Sequence, residues 1–406
     1  MKMAMKQTQT KLFDFSDVGL DFCVGSKNLF PDRFKKMLSL GYNVQTVTSV
    51  AVAGNQVTFT YGGAHGYTAD RVLKVDSGAL ASINGGEFWI DSATTNAVTF
   101  TLDNAPISIT GNFTTRIASL GWQLVYENAH IHLYKFKHID DTDMYARFCF
   151  QTNLTQRNAV AVGIGRTVDL SLGVITDENC LADLATCATL ADATSRLYFN
   201  FTSSPYLGTA QNEFTYPQGV GTYGLSKVVG SLYHIVFMYN IGSSGLGCVS
   251  AILPFASTYN SINLPLLLSQ NLGSASAEIN SNVLGNLKAY IGKQNCRFTF
   301  LSGVNIATTN IAGASFLPSS IDSFNTTACM PLSIYTDTER QNIGNCSGGL
   351  YQACYAASNT PTKTITTTPA ATRDIDLNSI VLTQYMSYAG SDAWFVAPVE
   401  EIRIGA

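Results

Sequence analysis

The stretch from Val44 to Tyr61, VQTVTSVAVAGNQVTFTY, alternates apolar and polar residues with a period of two. Such alternation is typical of a strand with one covered face and one open face. Gly54-Asn55 interrupts it where a tight turn is expected. The stretch therefore predicts a β-hairpin with strands over 47–52 and 57–61.

Short strands are also predicted downstream, over 71–75, 87–90 and 97–102. Five strands at a spacing of roughly 8–12 residues are typical of a small β-sandwich or barrel. We therefore expect a small β-module over residues 43–112.

The first 42 residues do not share this pattern. Pro31 begins the segment PDRFKKML, and Gly41 follows it. Proline favours the first turn of a helix, and glycine favours the position just after its end. We therefore expect residues 1–42 to be an N-terminal arm with a short helix, and we predict a second helix over 183–194.

The rest of the chain, residues 113–406, predicts a larger β-rich domain of one or two subdomains. A hairpin is expected from 131–137 and 144–150 around the polar turn 140–143. Residues 358–373 are rich in Thr and Pro and predict an extended loop. The fold class predicted is all-β, with further strands over 121–126, 195–202, 228–240, 246–253, 287–300, 378–387 and 393–397.

Composition excludes several classes of function. Charged residues make up 13% of the chain, against about 25% in a typical soluble protein, and the net charge is −4. Because phosphate binding needs a basic face, nucleic acid is not expected as the main partner.

We expect no signal peptide, since no apolar core follows Lys2, Lys6 and Lys11. We also expect no membrane insertion, because the best apolar candidate, 228–257, is interrupted near 240–245.

Residues 228–277 contain no Asp, Glu, Lys or Arg. Charges normally protect exposed strand edges from other strands. The stretch therefore predicts contact with neighbouring subunits in a homo-oligomer. The alternative is that it forms the inner core of a large β-sandwich and needs no partner.

The cysteines do not predict a metal site. There are nine of them, an odd number, and no Cys-x-x-Cys spacing occurs. Zinc modules show close Cys or His pairs. We expect reduced cysteines that pack as small apolar side chains, and we expect no cofactor.

Two histidines and three aspartates are the candidates for chemistry. His130 and His132 are separated by one residue on a predicted strand, so they share a face and, repeated about a threefold axis, would suit a transition metal. The alternative is that both are exposed polar residues. Asp140, Asp141 and Asp143 predict a solvated turn, with calcium binding and glycoside hydrolysis as alternatives.

Sequence motifs of common enzymes are missing. The chain has no Gly-x-Ser-x-Gly elbow, no phosphate-binding loop and no Gly-x-Gly-x-x-Gly after a strand. With five histidines and few clustered carboxylates, general acid–base chemistry has few candidates. We therefore expect a protein that is not an enzyme.

Residues 43–150 resemble a β-module of virion proteins from tailed bacteriophages. In that family an Ala-His-Gly-Tyr turn, here Ala64 to Tyr67, precedes a strand, and an Asn-Gly turn, here Asn84-Gly85, opens the next one. The resemblance continues through Gly121-Trp122, Tyr134 to Phe136, Asp140 to Arg147 and, near the C-terminus, Gly348 to Gln352.

The resemblance implies structural turns. Gly66 and Gly85 stand where tight turns need positive φ. His65 is expected to hydrogen-bond across its turn, with a ligand or a catalytic base as the alternative. The structural turn residues predicted are His65, Gly66, Asn84 and Gly85.

The resemblance also implies a structural component of a bacteriophage virion. We expect a tail, collar or baseplate protein that is made in the host bacterial cytoplasm, assembles as a symmetric oligomer and docks its N-terminal arm on other virion proteins. The alternatives are a receptor- or glycan-binding tail protein and a virion-associated hydrolase.

Overall fold

A computed structural model gives the fold. It describes residues 10–20, 28–153, 159–195, 197–201, 226–241, 246–259, 262–271, 287–298, 300–302, 305–306, 328–354, 370–374, 379–388 and 391–399.

Strands dominate the described residues, and the helices are short. The helices are α1 (Phe30–Lys35), which continues into a π-type turn Lys36–Leu40, and α2 (Ala182–Thr186). The prediction of an all-β fold is confirmed. In chain order the strands are β1 (Lys11–Asp14), β2 (Tyr42–Ala53), β3 (Gln56–Tyr61), β4 (Val72–Val75), β5 (Glu87–Trp89), β6 (Ser92–Ala93), β7 (Ala97–Thr101), β8 (Thr114–Ile117), β9 (Gln123–Asn128), β10 (Ile131–Lys137), β11 (Asp143–Phe150), β12 (Ala159–Gly165), β13 (Val168–Asp169), β14 (Val174–Ile175), β15 (Leu197–Asn200), β16 (Lys227–Gly230), β17 (Ile235–Ile241), β18 (Leu246–Leu253), β19 (Phe255–Ser257), β20 (Leu266–Asn271), β21 (Leu287–Ile291), β22 (Gln294–Phe298), β23 (Phe300–Ser302), β24 (Asn305–Ile306), β25 (Ala328–Pro331), β26 (Ser333–Thr336), β27 (Asn342–Cys346), β28 (Tyr351–Cys354), β29 (Ala370–Asp374), β30 (Ser379–Tyr388) and β31 (Ser391–Val399).

The first sheet, called here the N-terminal sheet, has seven strands in the order β5-β4-β8-β2-β3-β7-β6. It curls so that β5 meets β7, and the rings of Phe88 and Phe100 stack with centroids 4.6 Å apart. Phe59 packs edge-on against Phe100 in the same core. The sheet extends beyond the predicted boundary at residue 112, because β8 lies between β4 and β2.

The second sheet, called here the large sheet, has fifteen strands. Its longest path runs β19-β27-β26-β22-β21-β20-β15-β12-β11-β10-β9, and a branch from β20 continues through β18, β17 and β16 to β1. The predicted hairpin of β10 and β11 lies near one end, paired from Ile131↔Cys149 to Lys137↔Asp143. The predicted strands over 228–240 and 287–300 each form two strands instead of one.

A third sheet of five strands, in the order β25-β28-β31-β30-β29, packs across the branch of the large sheet. The two layers approach closely at Gly247 in β18. A Cβ placed there would lie 1.8 Å from the carbonyl oxygen of Tyr385 in β30. Only a glycine fits at this contact.

Most of the described part of the uncharged stretch 228–277 lies in the core of the single chain, and the exposed residues are Ala256, Thr258, Tyr259 and Asn263. Phe237, Met238 and Tyr239 are all 0% exposed. The rings of Phe34, Phe199 and Phe201 pack against Phe237 on one face of the branch, and the third sheet covers the other face. A strand covered on both faces is apolar throughout. The alternative of an inner core therefore holds for these three side chains, and contact of the rest of the stretch with a neighbouring subunit stays a prediction.

The described part of the predicted N-terminal arm, residues 10–20 and 28–42, packs into the chain's own core. Strand β1 pairs antiparallel with β16, and all four of its residues are buried. Phe34 of α1 packs against Phe148 and Phe237 of the large sheet. Val18, Leu29 and Leu40 remain exposed, so docking of this arm on another virion protein stays a prediction. Residues 1–9 and 21–27 lie outside the described residues.

Two remaining predictions meet the structure only in part. The helix predicted over 183–194 is the short α2, followed by a 3₁₀ turn Leu190–Asp192. The loop predicted over 358–373 falls mostly outside the described residues, apart from the beginning of β29. Among the described residues, no helix is both long and apolar enough to cross a membrane.

Candidate functional site

The turn at His65 is a buried hydrogen-bonded unit. The backbone N–H of Tyr67 donates to His65 Nδ1 at 2.9 Å, across Gly66, whose φ is +71°. The His65 Nε2 atom lies 3.3 Å from the carbonyl oxygen of Ala97, which fits a proton on that nitrogen. Burial lowers the pKa of His65, so the neutral ring required by this geometry is favoured.

The same turn fixes the register of β2 and β8. The Tyr67 hydroxyl donates to the carbonyl oxygens of Asn43 and Thr115, at 2.7 and 2.9 Å. The Asn43 side chain in turn donates to the carbonyl oxygen of His65 at 2.9 Å. The motif Ala64 to Tyr67 thus connects the beginning of β2 to the middle of β8.

The second predicted turn, Asn84-Gly85, is a tight turn between β4 and β5, in which the backbone N–H of Gly86 donates to the carbonyl oxygen of Ile83 at 2.7 Å. Asn84 and Gly85 have φ values of +52° and +67°, and Gly86 follows at +77°. A Cβ on Gly86 would lie 2.4 Å from the carbonyl oxygen of Val75. The Lys74 ammonium donates to the carbonyl oxygen of Gly85, so this turn also positions a cation.

His130 and His132, the candidates for exposed polar residues or for a metal site, each lie beside a group of the same chain. His130 lies in the turn before β10, and its Nε2 atom is 2.7 Å from the carbonyl oxygen of Ala188. His132 is 1% exposed, and its Nδ1 atom lies 3.0 Å from the hydroxyl of Tyr134. The alternative that both are exposed polar residues is wrong for His132, because the inner face of β10 is buried, and His130 precedes the first residue of β10.

The three aspartates hold the β10–β11 turn. Asp140 Oδ1 accepts from the backbone N–H of Thr142 at 3.0 Å, as in an Asx turn. Asp141 has a φ of +63° and accepts from the Tyr233 hydroxyl at 2.9 Å. Asp143 pairs with Lys137 at 2.8 Å. The turn interpretation is confirmed, and the three carboxylates serve different partners. In the part of the chain that the structure describes, no group of three or more His, Cys, Asp or Glu could hold a metal ion.

The six cysteines whose side chains are described are free and buried. Cys187 lies beside a buried arginine: Arg147 Nη2 donates to its carbonyl oxygen at 2.7 Å, and Nη1 lies 3.2 Å from its sulfur. Arg147 also donates to the carbonyl oxygen of Gly173 at 2.8 Å. These contacts join α2 and the β13–β14 hairpin to β11.

A cavity of about 490 Å³ lies between the N-terminal sheet and the large sheet. We call it the basic cavity, because its wall carries five basic side chains against two acidic ones. The basic residues are Lys11, Lys74, Arg116, Lys135 and Lys137, and the acidic residues are Glu87 and Asp143.

Lys11 forms the buried base of this cavity. Its ammonium lies 2.9 Å from Glu87 Oε2 and donates to the carbonyl oxygen of Ser119 at 2.5 Å. Burial lowers the pKa of Lys11, the carboxylate of Glu87 opposes that shift, and the charge of Lys74 adds to it. The cavity therefore holds an ammonium group largely removed from water.

The other cations differ in how fully they are paired. Arg116 pairs with Asp76 at 3.0 Å, outside the cavity wall. Lys135 and Lys137 share Asp143, at 3.4 and 2.8 Å. Lys74 has no carboxylate within ion-pair distance among the described residues. The wall therefore has an excess of positive charge in a chain whose net charge is negative.

The sequence reasoning missed this cavity because its cations come from separate places in the chain. Lys135 and Lys137 are two residues apart on a predicted strand, so their shared face was the only local signal. Comparison of the sequence with protein-family models and with curated proteins found no match.

Proposed function

We propose that this chain is a structural, non-enzymatic component of a bacteriophage virion, in the tail, collar or baseplate. In this role it assembles as a symmetric oligomer with other virion proteins. The proposal depends on residues 43–150, which resemble a β-module of phage virion proteins, and on the structural role of their motif residues. His65, Gly66, Asn84 and Gly85 form the turns that close the N-terminal sheet.

The use of the candidate catalytic groups supports a role without chemistry. Asp140 holds a turn, Asp143 neutralises two lysines, and His65 and His132 are buried beside backbone or tyrosine partners. Glycoside hydrolysis needs two carboxyl groups facing each other across a sugar. The aspartates of the β10–β11 turn have no such arrangement.

The N-terminal segment, residues 10–20, supports a mechanical role because it connects two sheets. Asp17 accepts two hydrogen bonds from the Arg71 guanidinium, at 2.8 and 2.9 Å, on the N-terminal sheet. Asp14 pairs with Lys227 on the large sheet, and β1 itself is a strand of that sheet. A subunit that transmits force in a particle needs such rigid connections.

A conditional null allele in the phage that encodes this chain tests the proposal. Without the chain, we expect lysates with normal DNA synthesis and particles that lack part of the tail in electron micrographs. Wild-type protein supplied from a plasmid should restore infectious particles. Complete and infectious particles without the chain would contradict a structural role.

A complete particle that fails to adsorb would instead favour the alternative, a receptor- or glycan-binding tail protein. Adsorption of the null particles to host cells is therefore measured alongside their morphology. Particles that lack part of the tail would support a role in assembly. Complete particles that fail only to adsorb would contradict that role.

A further inference from the structure

The basic cavity has more positive charge than its own carboxylates neutralise. Lys74 donates only to the carbonyl oxygen of Gly85 among its described contacts, and Lys135 shares Asp143 with Lys137. Like charges held close together destabilise a fold unless an anion lies between them. The charge excess therefore points to an anionic ligand.

The position of Lys11 separates this cavity from an ordinary charged surface. Its side chain is 1% exposed, and its ammonium is fixed between Glu87 and the carbonyl oxygen of Ser119. Because Lys11 is paired with Glu87, the charge excess lies at Lys74 and at the two lysines that share Asp143. These cations attract an anion more strongly in a partly enclosed cavity than in water, because the local dielectric is lower. The geometry is therefore already organised before any ligand enters.

The size and chemistry of the wall limit what the ligand can be. A volume of about 490 Å³ lies within the usual range for small-molecule sites. Besides the cations, the wall contains Ser119 and Gln123, which can hydrogen-bond hydroxyl groups, and Leu40 and Leu232, which are apolar. This combination suits a hydroxylated ring that carries an acidic group.

We propose that the basic cavity binds an acidic saccharide unit, a sugar bearing a phosphate or a carboxylate. Lys74 and Lys137 contact the acidic group, the Lys11–Glu87 pair forms the base, and Ser119 and Gln123 contact hydroxyl groups. The inference does not depend on the virion role.

Isothermal titration calorimetry at low ionic strength tests the proposal with four probes on the full chain. Glucose 6-phosphate, glucuronate and glucose share one ring and differ in charge, and inorganic phosphate has the charge without the ring. We expect glucose 6-phosphate to bind most tightly, glucuronate more weakly and glucose not measurably. The order of the first two distinguishes a phosphorylated from a carboxylated sugar.

Two variants test the location. Lys74→Gln and Lys137→Gln should each weaken binding of glucose 6-phosphate about tenfold or more, as expected for loss of a hydrogen bond to a charged group. The Lys137 side chain is 36% exposed, so its substitution should not disturb folding. Lys293→Gln is the control, since this lysine donates to the backbone carbonyl oxygen of Glu178 and is not part of the cavity wall.

Three results would overturn the inference. These are no binding of either acidic sugar at millimolar concentration, equal binding by the two cavity variants and the wild type, or equal affinity for glucose and glucose 6-phosphate. Inorganic phosphate that binds as tightly as glucose 6-phosphate would overturn the assignment of a saccharide.

Discussion

At the scale of the residue, His234 shows how burial fixes a protonation state. The ring is 0% exposed, its Nδ1 atom lies 2.7 Å from the Ser231 hydroxyl, and Gly349 packs against it closely enough that a Cβ would lie 2.6 Å from the ring. Burial lowers the pKa of His234 to about 3. The folded protein therefore keeps this ring neutral where an unfolded chain would protonate it.

The stability of the fold should fall in acid because of this ring. An unfolded histidine titrates near pH 6.5, so below that pH the unfolded state binds a proton that the folded state does not, and stability is lost as pH falls. From pH 7 to pH 4 we expect His234 to cost about 3 kcal/mol of unfolding free energy. Urea denaturation at several pH values measures this loss.

His234→Gln should flatten that pH dependence. Leu332→Val is the control, because it lowers stability at a buried site without removing a titratable group. An acid slope in His234→Gln equal to that of the wild type would show that the buried ring is not its source.

At the scale of the element, local sequence predicted the hairpins and missed some of the buried strands. The alternation from Val44 to Tyr61 indicated β2 and β3, since one face of that hairpin is open to water. Strand β12, by contrast, is buried at all seven positions and has no period to detect. Strand β1, Lys11 to Asp14, could not be predicted from its sequence, because its two charged end residues are buried in ion pairs with distant residues.

The contact of β18 with β30 should depend on Gly247. Gly247→Ala places a Cβ 1.8 Å from a backbone oxygen, which a rotamer change cannot relieve. We expect a loss of about 3 kcal/mol or more in unfolding free energy. Gly63→Ala is the matched control, since no atom lies within 4 Å of the position that its Cβ would take, and it should change stability by no more than about 0.5 kcal/mol. Equal stability of the two variants would mean that the sheets do not pack as described.

The attachment of the N-terminal segment should depend on Asp17. Asp17→Asn leaves the buried Arg71 guanidinium without its carboxylate, which costs about 3–5 kcal/mol when a buried pair loses one partner. Chemical denaturation measures this loss. Replacing Arg71 by Met in the same chain should recover part of it, because no unpaired charge then remains. A double variant no more stable than Asp17→Asn would contradict this explanation.

At the scale of the whole molecule, one apolar core extends from Leu12 to Ala397 and includes residues of all three large sheets. The sequence predicted the fold class, but not this continuity, because contacts between distant segments leave no local pattern. The basic cavity could not be predicted for the same reason, since Lys11 pairs there with Glu87, which lies 76 positions further along the chain. The low charge of 228–277 fits this core, which buries most of the residues of that stretch that the structure describes.

The central claim, a structural place in a virion, is tested most directly by quantitative mass spectrometry of gradient-purified phage particles. We expect the chain in every preparation, at a fixed ratio to the major capsid protein. The number of copies per particle obtained from this ratio should be a multiple of the order of symmetry of the tail or baseplate. A chain that is abundant in the infected-cell lysate and absent from purified particles would contradict the claim.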